Sequence, residues 1–296
     1  MKTPRSFEEL TIYAAPGMFV LLWASGFIGG KLGLQYAEPA TFLSVRMLAA
    51  VLLLAALIVV TRPLWPSPTG VLHNVVAGLL VHGLYLGGVF YALVLGLPAG
   101  LTALVLSLQP VLTSTLANRL LGERVIARQW VGLVLGIVGV ALVVHGKTGG
   151  DTQPAAWAWA VVALVSITIG TLYQKRFGGG VDWRTGLLIQ YAACVVLYGL
   201  AALLAETRTI QWTGEFIFAV SWLVFVLSFG AVWLLYFLIR RTAATRLVSL
   251  FYLTPPVTAL MAWAIFNERL SPIALFGGAV CLAGVFLVNW RLNAAR

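Results

Sequence analysis

The sequence predicts an all-α integral membrane protein, with ten transmembrane helices formed by two inverted five-helix repeats. Three observations lead there. Of 296 residues, 61% are hydrophobic and only 9% are Asp, Glu, Lys or Arg, whereas a soluble domain carries about 25% charged residues. Apolar runs recur along the chain, each near the roughly 20 residues a helix needs to cross hydrocarbon. The second half also repeats landmarks of the first at a constant offset of 145 positions. Ten crossings take about 200 residues, so no room is left for a sizeable water-soluble domain. That excludes soluble enzymes and transcription factors.

Charge, Pro and Gly divide the chain into spans at 12–34, 39–60, 71–92, 98–118, 126–145, 155–175, 183–204, 216–238, 243–264 and 272–290. They read as helices and not as barrel strands. Residues 51–60 run VLLLAALIVV, without the period-two alternation of a barrel, and a helix satisfies every backbone group inside its own segment. The first span follows Lys2, Arg5, Glu8 and Glu9 and is too long for the core of a cleavable signal, so it is expected to remain in the protein. The weakest division lies between spans three and four, where residues 91–100 read YALVLGLPAG and only Gly96 and Pro98 signal a turn.

The net charge of +10 points to cytoplasmic loops beside an anionic leaflet and not to nucleic acid. With the N-terminus inside, the cytoplasmic side holds fourteen basic residues: Lys2, Arg5, Arg62, Arg119, Arg124, Arg128, Lys175, Arg176, Arg184, Arg240, Arg241, Arg246, Arg291 and Arg296. The other side holds four, Lys31, Lys147, Arg208 and Arg269, with Arg46 left inside span two. That split predicts a multi-pass protein of the bacterial inner membrane with both termini cytoplasmic. An odd span count destroys it.

The repeat aligns Leu108-Gln109-Pro110 with Leu253-Thr254-Pro255, Thr113 with Thr258, and Glu123-Arg124 with Glu268-Arg269. Tyr91 falls on Tyr236, Gly132 on Gly277 and Gly139 on Gly284. Two units follow, 12–146 and 155–291, each of five spans. An odd number of spans turns the second unit over in the membrane, an arrangement that secondary transporters use to build a midplane site between halves.

Several short patterns carry a family resemblance: Trp23-Ala24-Ser25-Gly26-Phe27 with Lys31 after it, and Arg46 in span two. Ala99-Gly100-Leu101-Thr102-Ala103 then leads to Leu108-Gln109-Pro110, Gly122-Glu123-Arg124 precedes a Gly-rich span five, and Asn267-Glu268-Arg269 repeats that close. On these the chain resembles the EamA family of the drug/metabolite transporter superfamily over residues 12–290, and within it the YddG-type exporters. The resemblance implies ten helices and export of neutral or aromatic amino acids and related small metabolites. Export of drugs or purines is one alternative. A membrane enzyme or flippase acting on lipid is another.

The site candidates follow from what is costly in hydrocarbon. Lys31 and Arg46 are basic residues near the apolar interior; they either snorkel to headgroups or neutralise a carboxylate in a cavity. His82, with Tyr85 one turn on, either carries a proton or bonds across helices. No Asp or Glu falls mid-span, so facilitated diffusion fits at least as well as strong ion coupling. Gln109 before Pro110, and Thr254 before Pro255 and Pro256, mark helix breaks that free backbone carbonyls or shape packing. Trp23, Tyr85, Trp233 and Tyr252 lie deep enough to line an apolar cavity or to pack. Trp157, Trp159, Trp183, Trp212 and Trp290, with Tyr91 and Tyr236, read as interfacial belt residues. Glu123-Arg124 and Glu268-Arg269 read as helix caps or as a gate pair. Gly132 and Gly136 form a close-contact face. Cys194 and Cys281 read as small buried hydrophobes.

Residues 26–31, GFIGGK, lack P-loop spacing, and no hydrolase or zincin motif occurs. The expected protein is not an enzyme, has no cofactor or metal, takes a small-molecule solute and membrane lipid as partners but no nucleic acid, and is a monomer or homodimer.

Overall fold

The computed structural model describes residues 7–97, 102, 105–122, 125–145, 153–266 and 271–290. The described residues form ten principal helical runs, besides helical residues at 102 and 105–106. In order these are α1 (Phe7–Gly33), α2 (Pro39–Thr61), α3 (Pro68–Val94), α4 (Gln109–Leu121) and α5 (Ala127–Val144). Then come α6 (Pro154–Phe177), α7 (Trp183–Ala205) and α8 (Gly214–Arg241). The ninth, α9, joins Ala244–Ser249 to Thr254–Phe266 through a 3-10 segment, Leu250–Leu253. The last is α10 (Pro272–Asn289). By length and composition α2, α3, α6, α7, α8 and α10 can each cross a membrane.

Local chemistry sets the helix starts. Pro39, Pro68, Pro154 and Pro272 stand in the first turn of their helices, where the missing N–H costs nothing. Ser67, Asp182, Thr213 and Ser271 accept hydrogen bonds from Gly70, Arg184, Phe216 and Ala274 N–H groups, the usual side-chain caps. These caps explain why α3 begins three residues before the expected 71. α4 ends on Gly122 at φ 68°, a left-handed cap that glycine adopts without a Cβ clash.

Spans four and nine are interrupted beside the prolines that the sequence marks as helix-break candidates. A turn at 107–108 precedes α4, and the 3-10 segment interrupts α9 at the positions 145 residues on. Prolines explain both interruptions. Pro110, Pro255 and Pro256 sit in the first helical turn after each break, and a proline has no N–H to bond the carbonyl four residues back, in the interrupted segment.

Two further irregularities were not expected. Leu79–Leu84 in α3 and Leu223–Ala231 in α8 are π-helical, and the offset of 145 carries the first into the second. π segments are rare and are frequently found at functional sites.

The helices pair in a regular way. α5 runs along α10, and α2 along α7; α1 lies against α8 and the second part of α9, while α6 lies against α3 and α4. Exchanging α1–α5 with α6–α10 maps this set of pairings onto itself. The α5–α10 contact is built on glycine. A Cβ on Gly132 would lie 2.6 Å from Gly284 O, and one on Gly139 would lie 2.8 Å from Gly277 O. These two contacts are related by the same offset. Between them Cys281 sits against Gly136 O. Apolar side chains on the outside, such as Leu52 and Val59 of α2 and Leu203 and Leu204 of α7, are exposed, as lipid-facing residues are.

Candidate functional site

A pocket opens between α1, α2, α3 and α8. Trp23, Gly26 and Phe27 of α1 form one wall, and Leu223, Leu227 and Val232 of α8 another. The α3 wall is a single stripe from Val81 and His82 through Tyr85 and Leu86 to Val89 and Phe90. Arg46 of α2 closes the fourth side. The space is about 550 Å³ counting the open solvent at its mouth. α1 stands close to α8 because its facing positions are glycine. A Cβ on Gly26 or Gly29 would lie 3.0 Å from Leu227 or Leu223.

Arg46 is the unusual member. It is 5% exposed and stands two turns into an otherwise apolar helix. One guanidinium nitrogen donates to Ser228 Oγ at 3.3 Å, and Nε has no partner. No Asp or Glu lines the pocket among the described residues. A buried cation without a counter-charge costs several kcal/mol even after relaxation (about that order). Such residues in membrane helices mark substrate or ion paths.

The π segments supply the surroundings. Their altered ladders free carbonyls, and α7 satisfies them. Tyr198 donates its hydroxyl to His82 O at 2.7 Å and Gly83 O at 2.6 Å. Tyr191 donates to Ser228 O at 2.8 Å, and Ser228 Oγ donates to Leu223 O at 3.2 Å. His82 meets the Tyr191 ring edge-on at 5.0 Å, and its Nε2 has no partner. Trp23 is boxed by Phe19 at 5.2 Å, Phe251 at 5.3 Å and Tyr85 at 6.4 Å between ring centroids.

One end of the pocket is sealed. Phe42 packs on Phe90 at 6.0 Å and on Phe216 at 5.8 Å, and the absence of a side chain on Gly30 and Gly33 makes room for Phe90 and Phe42. Beyond this plug a carboxylate joins three helices. Glu206, at the end of α7, accepts from Ala40 N and Thr41 N at 2.7 Å, Thr41 Oγ1 at 2.8 Å and Tyr91 Oη at 2.7 Å. Beside it Thr207 donates to Glu38 from its N–H and its hydroxyl, both at 2.6 Å. The Thr207 hydroxyl, with the neighbouring backbone N–H groups, holds the Glu38 carboxyl below its ordinary range. A short β-bridge, Ala37 to Ile210, and the Gln211 N–H bond to Tyr36 O complete the closure. The other end of the bundle is joined differently. Gln190 Nε2 donates to Asn74 Oδ1 at 3.0 Å and Gln174 Oε1 at 3.2 Å, and no carboxylate enters that cluster.

The structure brings four of the sequence candidates together: Trp23, Arg46, His82 and Tyr85. Four others stand outside the pocket. Trp233 stacks on Phe237 at 5.7 Å. Tyr252 is fully buried against Gly136 of α5, filling the groove that glycine leaves. Gln109 and Thr254 are buried at the two helix breaks, beside Pro110 and beside Pro255 and Pro256. Tyr91 is not a belt residue, since its hydroxyl bonds to Glu206, and Tyr236 is buried. The backbone of Lys31 lies in α1, and its side chain lies outside the described residues; Glu123, Arg124, Glu268 and Arg269 lie wholly outside them. Sequence reasoning missed Glu206, Ser228, Tyr191 and Tyr198. Ser228 left a trace, as a lone hydroxyl in the apolar run LVFVLSFGA.

Comparison with known proteins agrees with this architecture. "Uncharacterized transporter YvbV" of Bacillus subtilis is 29% identical, over 94% of this chain and 91% of that protein. "Probable amino-acid metabolite efflux pump" of Escherichia coli is 25% identical over 93% and 94%. "Probable terminal-alkyne amino-acid exporter" of Streptantibioticus cattleyicolor is 29% identical over 67% of each. A crystal structure superposes with a TM-score of 0.76 over 93% of this chain and 95% of that one at 20% identity, which shows a shared fold. The profile described as "EamA-like transporter family" matches twice, at residues 17–145 and 155–290, each match holding one set of the paired helices. With nearly the whole length covered, this chain belongs to the EamA-like transporter family.

Proposed function

We propose that the protein is a secondary carrier of the bacterial inner membrane that exports neutral or aromatic amino acids and related small metabolites by alternating access. On this reading all ten helical runs cross the membrane, in two inverted halves, 12–146 and 155–291. Both termini lie in the cytoplasm, and the α1–α2 and α7–α8 connections face outward. Arg46 carries the reading: a buried guanidinium with no counter-charge among the described residues, on the wall of a pocket of aromatic and aliphatic side chains, is built to receive an anion with an apolar body. A carboxylate matches a guanidinium two-pronged. The names of two relatives, an amino-acid metabolite efflux pump and an amino-acid exporter, support the same substrate class. A lipid-phosphate role calls for several cations, and Arg46 is the only Lys or Arg lining the pocket among the described residues.

Flux into proteoliposomes tests this. Radiolabelled neutral amino acids, a purine and a cationic dye are each run with and without a pH gradient, beside protein-free liposomes. Saturable amino-acid flux that Arg46→Gln abolishes is the expected result. Flux indifferent to the gradient identifies a facilitative carrier, and acceleration by it makes His82 the first residue to replace. Absence of saturable amino-acid flux overturns the proposal.

A further inference from the structure

An amino acid brings two charged groups to the pocket, and Arg46 answers only one of them. The α-ammonium carries three N–H donors, and a donor buried without an acceptor is costly. Arg46 and the Trp23 indole can only donate. Among the side chains lining the pocket, His82 and Tyr85 alone carry an acceptor. The imidazole is the stronger of the two, and it is unused. His82 is 3% exposed, and its Nε2 has no partner. A buried polar atom in that condition calls for an explanation, and a solute in the adjoining pocket supplies one. A second cation beside Arg46 in this apolar space is costly, so the imidazole serves as a neutral acceptor. Its Nδ1–H tautomer presents the lone pair at Nε2. The ring is held in place from α7: Tyr198 donates to the His82 carbonyl at 2.7 Å, and the Tyr191 ring meets the imidazole edge-on at 5.0 Å. Tyr85 and Phe27, on the same walls, add aromatic faces that attract a cation. The π backbone does not itself require a histidine here. The offset of 145 puts Leu227 at the related position in the π segment of α8.

On the carrier reading above, we propose that His82 recognises the free α-amino group of the cargo, its Nε2 accepting an ammonium N–H while Arg46 holds the carboxylate. The two groups stand on adjoining walls, α3 and α2, and the apolar remainder of the pocket receives the side chain. The preferred solutes are then neutral or aromatic amino acids with an unblocked amine. Their deaminated and acylated counterparts bind less tightly, because they leave His82 without a partner.

The test measures binding to the purified full-length protein by calorimetry near neutral pH, for phenylalanine, 3-phenylpropanoate, N-acetylphenylalanine and phenethylamine. Phenylalanine should bind at least about tenfold tighter than either acid without a free amine, the scale of one hydrogen bond to a charged group. Phenethylamine should bind least, because it leaves Arg46 without a counter-charge. His82→Leu should bring phenylalanine and 3-phenylpropanoate to within about twofold of each other. His82→Gln, whose amide oxygen still accepts, should keep part of the difference. Tyr85→Phe keeps the ring and removes the hydroxyl, so it should leave the order unchanged. If His82→Leu does not fold, His82→Phe, which retains a flat ring, takes its place. In the wild type, 3-phenylpropanoate binding as tightly as phenylalanine overturns the recognition of the amine and leaves the carrier reading intact. A wild-type difference that survives in folded His82→Leu, or that Tyr85→Phe abolishes, overturns the assignment to His82. If no probe binds and no amino acid is carried in the flux assay, the carrier reading itself falls and the assignment falls with it.

Discussion

Replacing Glu206 with Ala should unlock the sealed end of the pocket. The carboxylate accepts four hydrogen bonds, from Ala40 N, Thr41 N, Thr41 Oγ1 and Tyr91 Oη. It thereby ties the end of α7 to the first turn of α2 and to α3. Each charge-assisted bond removed costs about 1.5–3 kcal/mol when nothing replaces it. Glu206 is only half-buried, so water re-pairs the α2 N–H groups, and loss of a cap of this kind costs about 0.5–2 kcal/mol. Adding about 1 kcal/mol for the Tyr91 bond gives roughly 2 kcal/mol, a shift of about thirtyfold in the open–closed ratio at this end. The assay uses Phe27→Cys as a reporter, because Phe27 lines the pocket beneath the Phe42, Phe90 and Phe216 plug. The buried Cys194 and Cys281 are replaced by Ala, and a membrane-impermeant maleimide is applied to whole cells. When closure is fast, labelling tracks the open population, so Glu206→Ala should accelerate it about thirtyfold and Glu206→Gln by less. A labelling rate within about threefold of the parent, in a variant whose melting temperature is unchanged, refutes the latch.

The remaining predictions concern stability read by thermal melting in detergent. Gly132→Ala places a Cβ 2.6 Å from the Gly284 carbonyl, a backbone contact that cannot yield, and should destabilise by about 1–3 kcal/mol. Gly199→Ala has open space around the new Cβ and should stabilise α7 by about 0.5–1 kcal/mol; equal effects at the two sites refute the packing argument. Asp182 caps α7 and pairs with Arg184 at 2.7 Å, and the Arg184 side-chain bond holds its carboxyl below the ordinary range. A depressed folded-state pKa contributes stability that is complete above the ordinary Asp value, about 3.9, and is lost as pH falls through it toward the folded value. Asp182→Asn should therefore melt below the parent by an amount worth about 1 kcal/mol at pH 7, with the gap closing below about pH 4. A gap unchanged at low pH shows that the ion pair is not its source. Arg46→Met removes a buried charge that has no carboxylate partner among the described residues, so it should raise the melting temperature while abolishing anion binding. A large fall in melting temperature shows that Arg46 is structural.

The long helices were legible because each is a nearly uniform apolar run, and the runs themselves identify them. The breaks before Gln109 and Thr254 were legible too, because proline has one mechanical consequence wherever it falls. The π segments were not. Nothing in LLVHGL or LVFVLSFGA distinguishes an extra residue in the turn from an ordinary one, since the compensating donors, Tyr191 and Tyr198, lie on another helix. The pocket was half legible. Arg46, His82, Trp23 and Tyr85 stood out because charge and polarity are costly in hydrocarbon. Tyr252 and Trp233 stood out for the same aromatic character, and only packing shows that one fills a glycine groove and the other stacks on its own helix. Glu206 was hidden by its position at a span end, where a carboxylate ordinarily signifies nothing beyond solvation.

That hidden residue bears on how a duplicated carrier chooses a resting shape. In alternating access by two inverted halves, the inward-facing and outward-facing shapes are produced by exchanging the conformations of the halves. Identical halves make the two shapes equal in energy. A preference arises only from positions at which the halves differ. The offset of 145 carries Glu206 back to Thr61, whose hydroxyl donates to Leu57 O at 2.6 Å within its own helix and bridges nothing. A carboxylate thus joins three helices at one end of the pocket, and a self-satisfied threonine stands at the related position. On the carrier reading, this difference favours closure at the α1–α2 end by the roughly 2 kcal/mol worked out above. It acts against the Gln190–Asn74–Gln174 cluster that joins helices toward the other end, so on that reading the balance of these two unlike joints sets the resting shape of the empty carrier.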